Sequence, residues 1–198
     1  MKRLVALAAA LAALALAPAV ALAEGSTWNI DPAHTESGFS VKHLVISTVK
    51  GWFGKTTGKV VLDDRDLTRS SVEATIDVTS VDTRIQKRDD DLRSPNFFDV
   101  ARYPTITFKS TRVEKAGDGL KVTGELTIKG VTRPVTLDVS APTPEIKDPW
   151  GNLRRGFSAR ARINRRDFGL TYSAAVEAGP VVGDEVNVEI NTELVKAR

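Results

Sequence analysis

Cysteine is absent from the 198 residues, and Met1 is the single methionine. The missing thiols exclude disulfides, thiolate zinc sites, iron–sulfur clusters and cysteine nucleophiles in one step. Histidine is nearly absent too: His34 and His43 are the pair, nine residues apart. A metal or enzymatic site would have to join them to Asp31 across a turn into a strand, and hydrogen-bonded structural histidines account for them better. No Walker loop, dinucleotide fingerprint, G-x-S-x-G or H-E-x-x-H occurs, so no cofactor, metal or catalytic residue is expected. An excess of one charge is also missing. Of 28 basic residues against 25 acidic ones, Lys2 and Arg3 precede the fold, and the near-neutral remainder argues against a nucleic-acid partner.

Long apolar runs are confined to the start. Met1-Lys2-Arg3 is followed by Leu4 to Ala23, almost wholly Ala, Leu and Val, interrupted by Pro18 and ending in Ala21-Leu22-Ala23. That layout predicts a cleaved secretory signal peptide over residues 1–23 rather than an anchor. Residues 24–198 are then one secreted domain, long enough for one well-buried core.

What is abundant is alternation with a period of two. Val72, Ala74, Ile76 and Val78 alternate with polar residues across Ser71 to Thr79. Leu120 to Lys129 sets Leu120, Val122, Gly124, Leu126 and Ile128 to one side, and Asp184 to Leu194 does so with Val186, Val188, Ile190 and Leu194. Such alternation predicts antiparallel strands with one dry and one wet face. Weaker versions occur in Ser37 to His43, Phe53 to Leu62, Thr105 to Val113, Val131 to Ser140 and Gly156 to Asn164, giving eight strands. Trp28 to Asp31 offers a short leading strand. Asp82 to Leu92 breaks the pattern: Ile85, Arg88, Asp89 and Leu92 fall at helical spacing, with Asp82 as N-cap and Ser94-Pro95 as a second cap. The prediction is all-β, with a short helical insert between the third and fourth strands. Eight such strands close into a barrel or split into a sandwich, and alternation alone does not choose.

Particular residues carry a resemblance. Trp28-Asn29-Ile30-Asp31-Pro32-Ala33-His34, Phe39-Ser40-Val41-Lys42-His43, Phe97-Phe98-Asp99, Tyr103-Pro104-Thr105-Ile106-Thr107-Phe108 and Asn164-Arg165-Arg166-Asp167-Phe168-Gly169 resemble, in order and spacing, the YceI-like family of bacterial lipocalin-like proteins. The resemblance runs from Trp28 to about Glu193. It departs at Thr35, where the family often has serine, and the hydroxyl is kept. It implies an eight-stranded antiparallel lipocalin-like barrel in the periplasm whose interior takes a polyisoprenoid, isoprenoid quinone or fatty-acid derivative. It leaves a homodimer and a passing membrane contact open.

On that reading Phe39, Val41, Ile76, Val78, Phe108, Leu126, Ile128 and Phe157 line the tunnel. The competing reading is a filled barrel, a structural or stress protein whose outer surface does the work. Small inward residues, Ala74, Gly124, Ala159 and Ala161, leave space and favour a hollow. Leu44 to Phe53 is apolar without alternation and suits either a flexible lip that touches membrane or, through Phe53, ligand, or an ordinary buried connection. Ile85, Leu92, Phe97 and Phe98 of the insert would cap the barrel, or simply pack its core. Asp89-Asp90-Asp91 reads as a solvated helix face. The arginines at 154, 155, 160, 162, 165 and 166 read as a surface paired with acids, or as a headgroup contact.

Overall fold

The computed structural model describes residues 25–172, 174–176 and 179–198; the expected leader, residues 1–23, lies outside them. The strands are β1 (Ser26–Ile30), β2 (Glu36–His43), β3 (Ser47–Phe53), β4 (Thr56–Leu62), β5 (Ser71–Asp77), β6 (Val81–Asp82), β7 (Thr105–Ala116), β8 (Gly119–Ile128), β9 (Val131–Ser140), β10 (Ile146–Lys147), β11 (Leu153–Asn164), β12 (Ala175–Val176), β13 (Gly179–Pro180) and β14 (Val182–Lys196). One α-helix, α1 (Gln86–Arg93), sits between β6 and β7. The antiparallel order β11-β9-β8-β7-β5-β4-β1-β14 returns to β11, so the sheet closes as an eight-position barrel. Closure settles the barrel-or-sandwich question in favour of the barrel.

Two positions of the barrel hold broken strands. β1 and β2 both pair with β14, as in Ile30↔Leu194 and Glu36↔Asn191. Between them Pro32 opens a 3-10 turn, with the Asp31 carboxylate accepting the Ala33 N–H at 3.0 Å; proline has no N–H to give to the ladder. The neighbouring position is likewise split: β3 ends at Phe53, and β4, which holds most of the strand expected from Phe53 to Leu62, begins at Thr56. β3 turns aside to pair with β2 and β6, while β4 pairs with β1 and β5.

The expected flexible lip is mostly this strand. Leu44 to Ile46 form its tip, a tight turn in which Leu44 and Val45 both have positive φ, with Ile46 82% exposed. Asp82 does not cap the helix: its carboxylate accepts the Arg84 N–H, and α1 starts four residues later with Ile85 as N-cap. Asp89 is not solvated either. It is buried and accepts the N–H and hydroxyl of Thr83, while Asp90 and Asp91 face solvent.

Candidate functional site

Inward residues meet neighbours of unequal size, and this decides where the barrel is filled. Trp28 and Leu194 are fully buried with Ile30, Val60 and Leu62 at the end that carries the β4–β5, β7–β8 and β9–β11 connections. Arg155 and Lys196 lie over the Trp28 ring at 5.3 and 5.4 Å. At the other end Val78, Val81, Ile106, Phe168 and Leu170 pack together. Between these clusters runs a cavity of about 250 Å³, many times the roughly 10–15 Å³ that one water needs. Its wall draws on every barrel strand and is almost wholly alkyl and aromatic. Along β14 the wall includes Val186, Val188, Ile190 and Thr192. Six residues of strand correspond to ~20 Å, so the space is an elongated bore.

Of the residues expected there, Phe39, Val41, Phe53, Ile76, Leu92, Phe97, Phe98, Phe108, Leu126, Ile128 and Phe157 are on the wall. Four of the phenylalanines gather at the insert end. The Phe53 ring is 5.6 Å from Phe39 and 5.8 Å from Phe98, and Phe97 stacks on Tyr172 at 4.8 Å. Two expected residues are elsewhere. Val78 leaves the strand in a 3-10 turn and is buried in the packing at the insert end, off the wall. Ile85 is 52% exposed, because the helix begins only after it and turns Leu92, not Ile85, inward.

Gly124 does not supply space as expected. A Cβ there would meet the Phe108 ring at 2.5 Å, so the ring already fills the place the missing side chain leaves. Ala74, Ala159 and Ala161 do lie on the wall.

Polar wall residues escaped the sequence reading. Thr35 and Thr192 share a hydrogen bond of 2.8 Å, as do Ser37 and Thr56, and all four are buried on the bore. The signal was available: Thr35 and Ser37 are in phase with Phe39 and Val41, and Thr192 with Ile190 and Leu194. Arg165, expected in a surface cluster, is instead buried and reaches the wall at the insert end. It donates to the carbonyls of Gly183, Val182 and Leu170 and pairs with Asp184. Burial pulls its pKa below the ordinary arginine value, with Asp184 opposing.

The other arginines of that cluster are paired outside the bore: Arg160 with Glu189, Arg162 with Glu185, Arg166 with Asp184 and Arg155 with Asp64. Arg154 is a hub, 2.7 Å from Asp31, 2.7 Å from Asp148 and 3.0 Å from Glu193. Its hydrogen bond holds the Asp148 carboxyl far below the usual range. For Asp31, burial pushes upward, but Arg154 and His34 outweigh it and the net shift is down. Asp31, His34 and Glu193 converge as a metal site would, but the Arg154 guanidinium already sits between the two carboxylates. His43 is at the far end of β2, ~23 Å of strand away, so the two histidines do not meet.

An eight-position antiparallel barrel around one elongated apolar bore defines a lipocalin-like protein. A family model described as the YceI-like domain matches residues 28–194, and the chain belongs to the YceI-like family. It is 39% identical over 165 residues to a UPF0312 protein of Yersinia pestis, covering 83% of each chain. The crystal structure of Burkholderia cenocepacia BcnA superposes with a TM-score of 0.68 at 26% identity, covering 83% of this chain and 98% of that one. A polyisoprenoid binding domain from Saccharophagus degradans shares the fold at 16% identity, with a TM-score of 0.63 and coverage of 88% and 100%.

Proposed function

We propose that this protein is a binding protein rather than an enzyme. It takes up a long-chain amphiphile, such as a polyisoprenoid, isoprenoid quinone or fatty-acid derivative, and carries or stores it in the periplasm. The observation that carries this reading is the bore: an elongated space with an alkyl and aromatic wall. Apolar chain entering such a space gains about 0.8 kcal/mol per CH₂. A few isoprene units then suffice for micromolar binding after association entropy is subtracted. The polyisoprenoid ligand named for the Saccharophagus degradans domain supports the same class of cargo, and the leader-like residues 1–23 support export.

The exposed Val45–Ile46 tip is the part we assign to brief contact with a membrane surface. A homodimer remains compatible with this reading, and no step of it needs one. The test is native mass spectrometry of the protein purified from the periplasm of expressing cells. The expected result is a species heavier than the bare chain by one lipid, which extraction then identifies. A uniform, lipid-free mass would overturn the reading.

A further inference from the structure

Counting hydroxyl protons along the bore separates its two polar pairs. Each pair has two O–H groups, and one mutual hydrogen bond uses one of them. In the Thr35–Thr192 pair the second proton has an outlet, because the Thr192 hydroxyl also donates to the Glu193 carbonyl at 3.4 Å. In the Ser37–Thr56 pair the oxygens are 2.8 Å apart, and no other acceptor among the described residues is bonded to either. Both residues are 3% exposed and both line the bore. One O–H donor is therefore left unspent inside an apolar cavity, where a polar group without a partner costs about 1–3 kcal/mol.

The pair is not at a mouth. Ser37 faces Ile190 and Phe53 in the ladders, and Thr56 faces Ile76. Wall residues continue on both sides, through Val60 and Leu62 in one direction and Phe39 and Val41 in the other.

Resting on the carrier reading above, we propose that the Ser37–Thr56 pair reads an oxygen acceptor on the ligand. The cargo is then an amphiphile that brings a carbonyl-type oxygen, as in a quinone, ester or amide, to the middle of the bore. A pure hydrocarbon leaves the donor unsatisfied, and a chain whose oxygens stay outside the mouth does the same.

The proton count also sets the mutational pattern. Ser37→Ala leaves the Thr56 hydroxyl with its whole proton free, and Thr56→Val does the same for Ser37. Each single variant therefore keeps one donor, and the double variant has none.

The experiment is displacement of an apolar fluorescent dye by a long-chain alkane and by ketones of the same length with the carbonyl at successive positions. Wild type should prefer the best-placed ketone about three- to tenfold over the alkane, the range one net hydrogen bond supplies. The preference should peak at one carbonyl position. It should persist in each single variant and fall below one in the double variant, where the ketone carbonyl gives up water without gaining a donor.

A wild-type preference of one, or a preference independent of carbonyl position, overturns the inference even where the double variant does not fold. Single variants as deficient as the double also overturn it, since that is how a purely structural link between the two broken strands behaves. If the alkane and every ketone fail to displace the dye, the carrier reading falls and takes this inference with it. If the alkane binds as well as the best ketone, only this inference falls.

Discussion

Leu194 and Val188 lie on the same strand, point the same way and are six residues apart, yet they have opposite surroundings. Leu194 is fully buried, wedged with Trp28 and Val60. Val188 keeps contact with empty space: its ladder partner on the β11 side is Ala161, and the next inward pair there is Ile190 with Ala159. One tryptophan fills one end of the barrel, and two alanines leave its middle open. Alternation decides which way a side chain points. The sizes of the residues that meet across the axis decide whether it packs or borders a hollow.

The largest effect expected from this contrast is at the filled end. Trp28→Ala should cost about 3–5 kcal/mol in urea denaturation, whereas Val188→Ala, already beside space, should cost about 1 kcal/mol or less. Equal losses would mean that the middle is packed as tightly as the end.

Filling the hollow sharpens the same point. Ala161→Phe should leave stability near wild type and cut the affinity of an apolar dye by at least tenfold. A large loss of stability with unchanged dye binding would show that Ala161 does not border the bore.

Acid should act on the filled end, where Arg154 ties Asp31, Asp148 and Glu193 together. Asp148 and Asp31 have lower pKa values folded than unfolded. Their contribution is fully present above the unfolded carboxylate value of about 3.9 and fades as pH falls through the lower folded values. Stability measured from pH 7 downward should therefore drop steeply only below pH ~4. Arg154→Leu should flatten that drop.

The smallest effect concerns two turns at the insert end. Lys129-Gly130 turns with positive φ at both residues and places glycine second, as such turns prefer. Leu44-Val45 makes the same demand of a β-branched residue in solvent. Val45→Gly should raise stability by about 0.5–1 kcal/mol while weakening association with lipid vesicles. A loss of stability would show that Val45 is held by packing.

Much of the barrel was legible because strand alternation is a local property. The strong strands, the insert between the third and fourth, and the wall aromatics Phe39, Phe108 and Phe157 follow from side-chain phase. The misplaced elements share one cause, competition from partners outside the strand or helix that the local pattern describes. Val78 is drawn into a 3-10 turn capped by Asp77, with its N–H given to the Pro104 carbonyl. Asp89 is buried because Thr83 folds back onto it. Gly124 is covered by a ring from β7. Arg165 is internal because three carbonyls around the β11–β14 connection converge on its guanidinium.

By itself the sequence determined the strand faces, the absence of thiol chemistry and the family, since each is written in residue type and order along one dimension. Only the tertiary structure decided that the barrel closes, that Trp28 fills one end and that Ser37 meets Thr56. Those facts depend on which residues face one another across the axis, and that pairing exists only once the eighth position returns to close the ring.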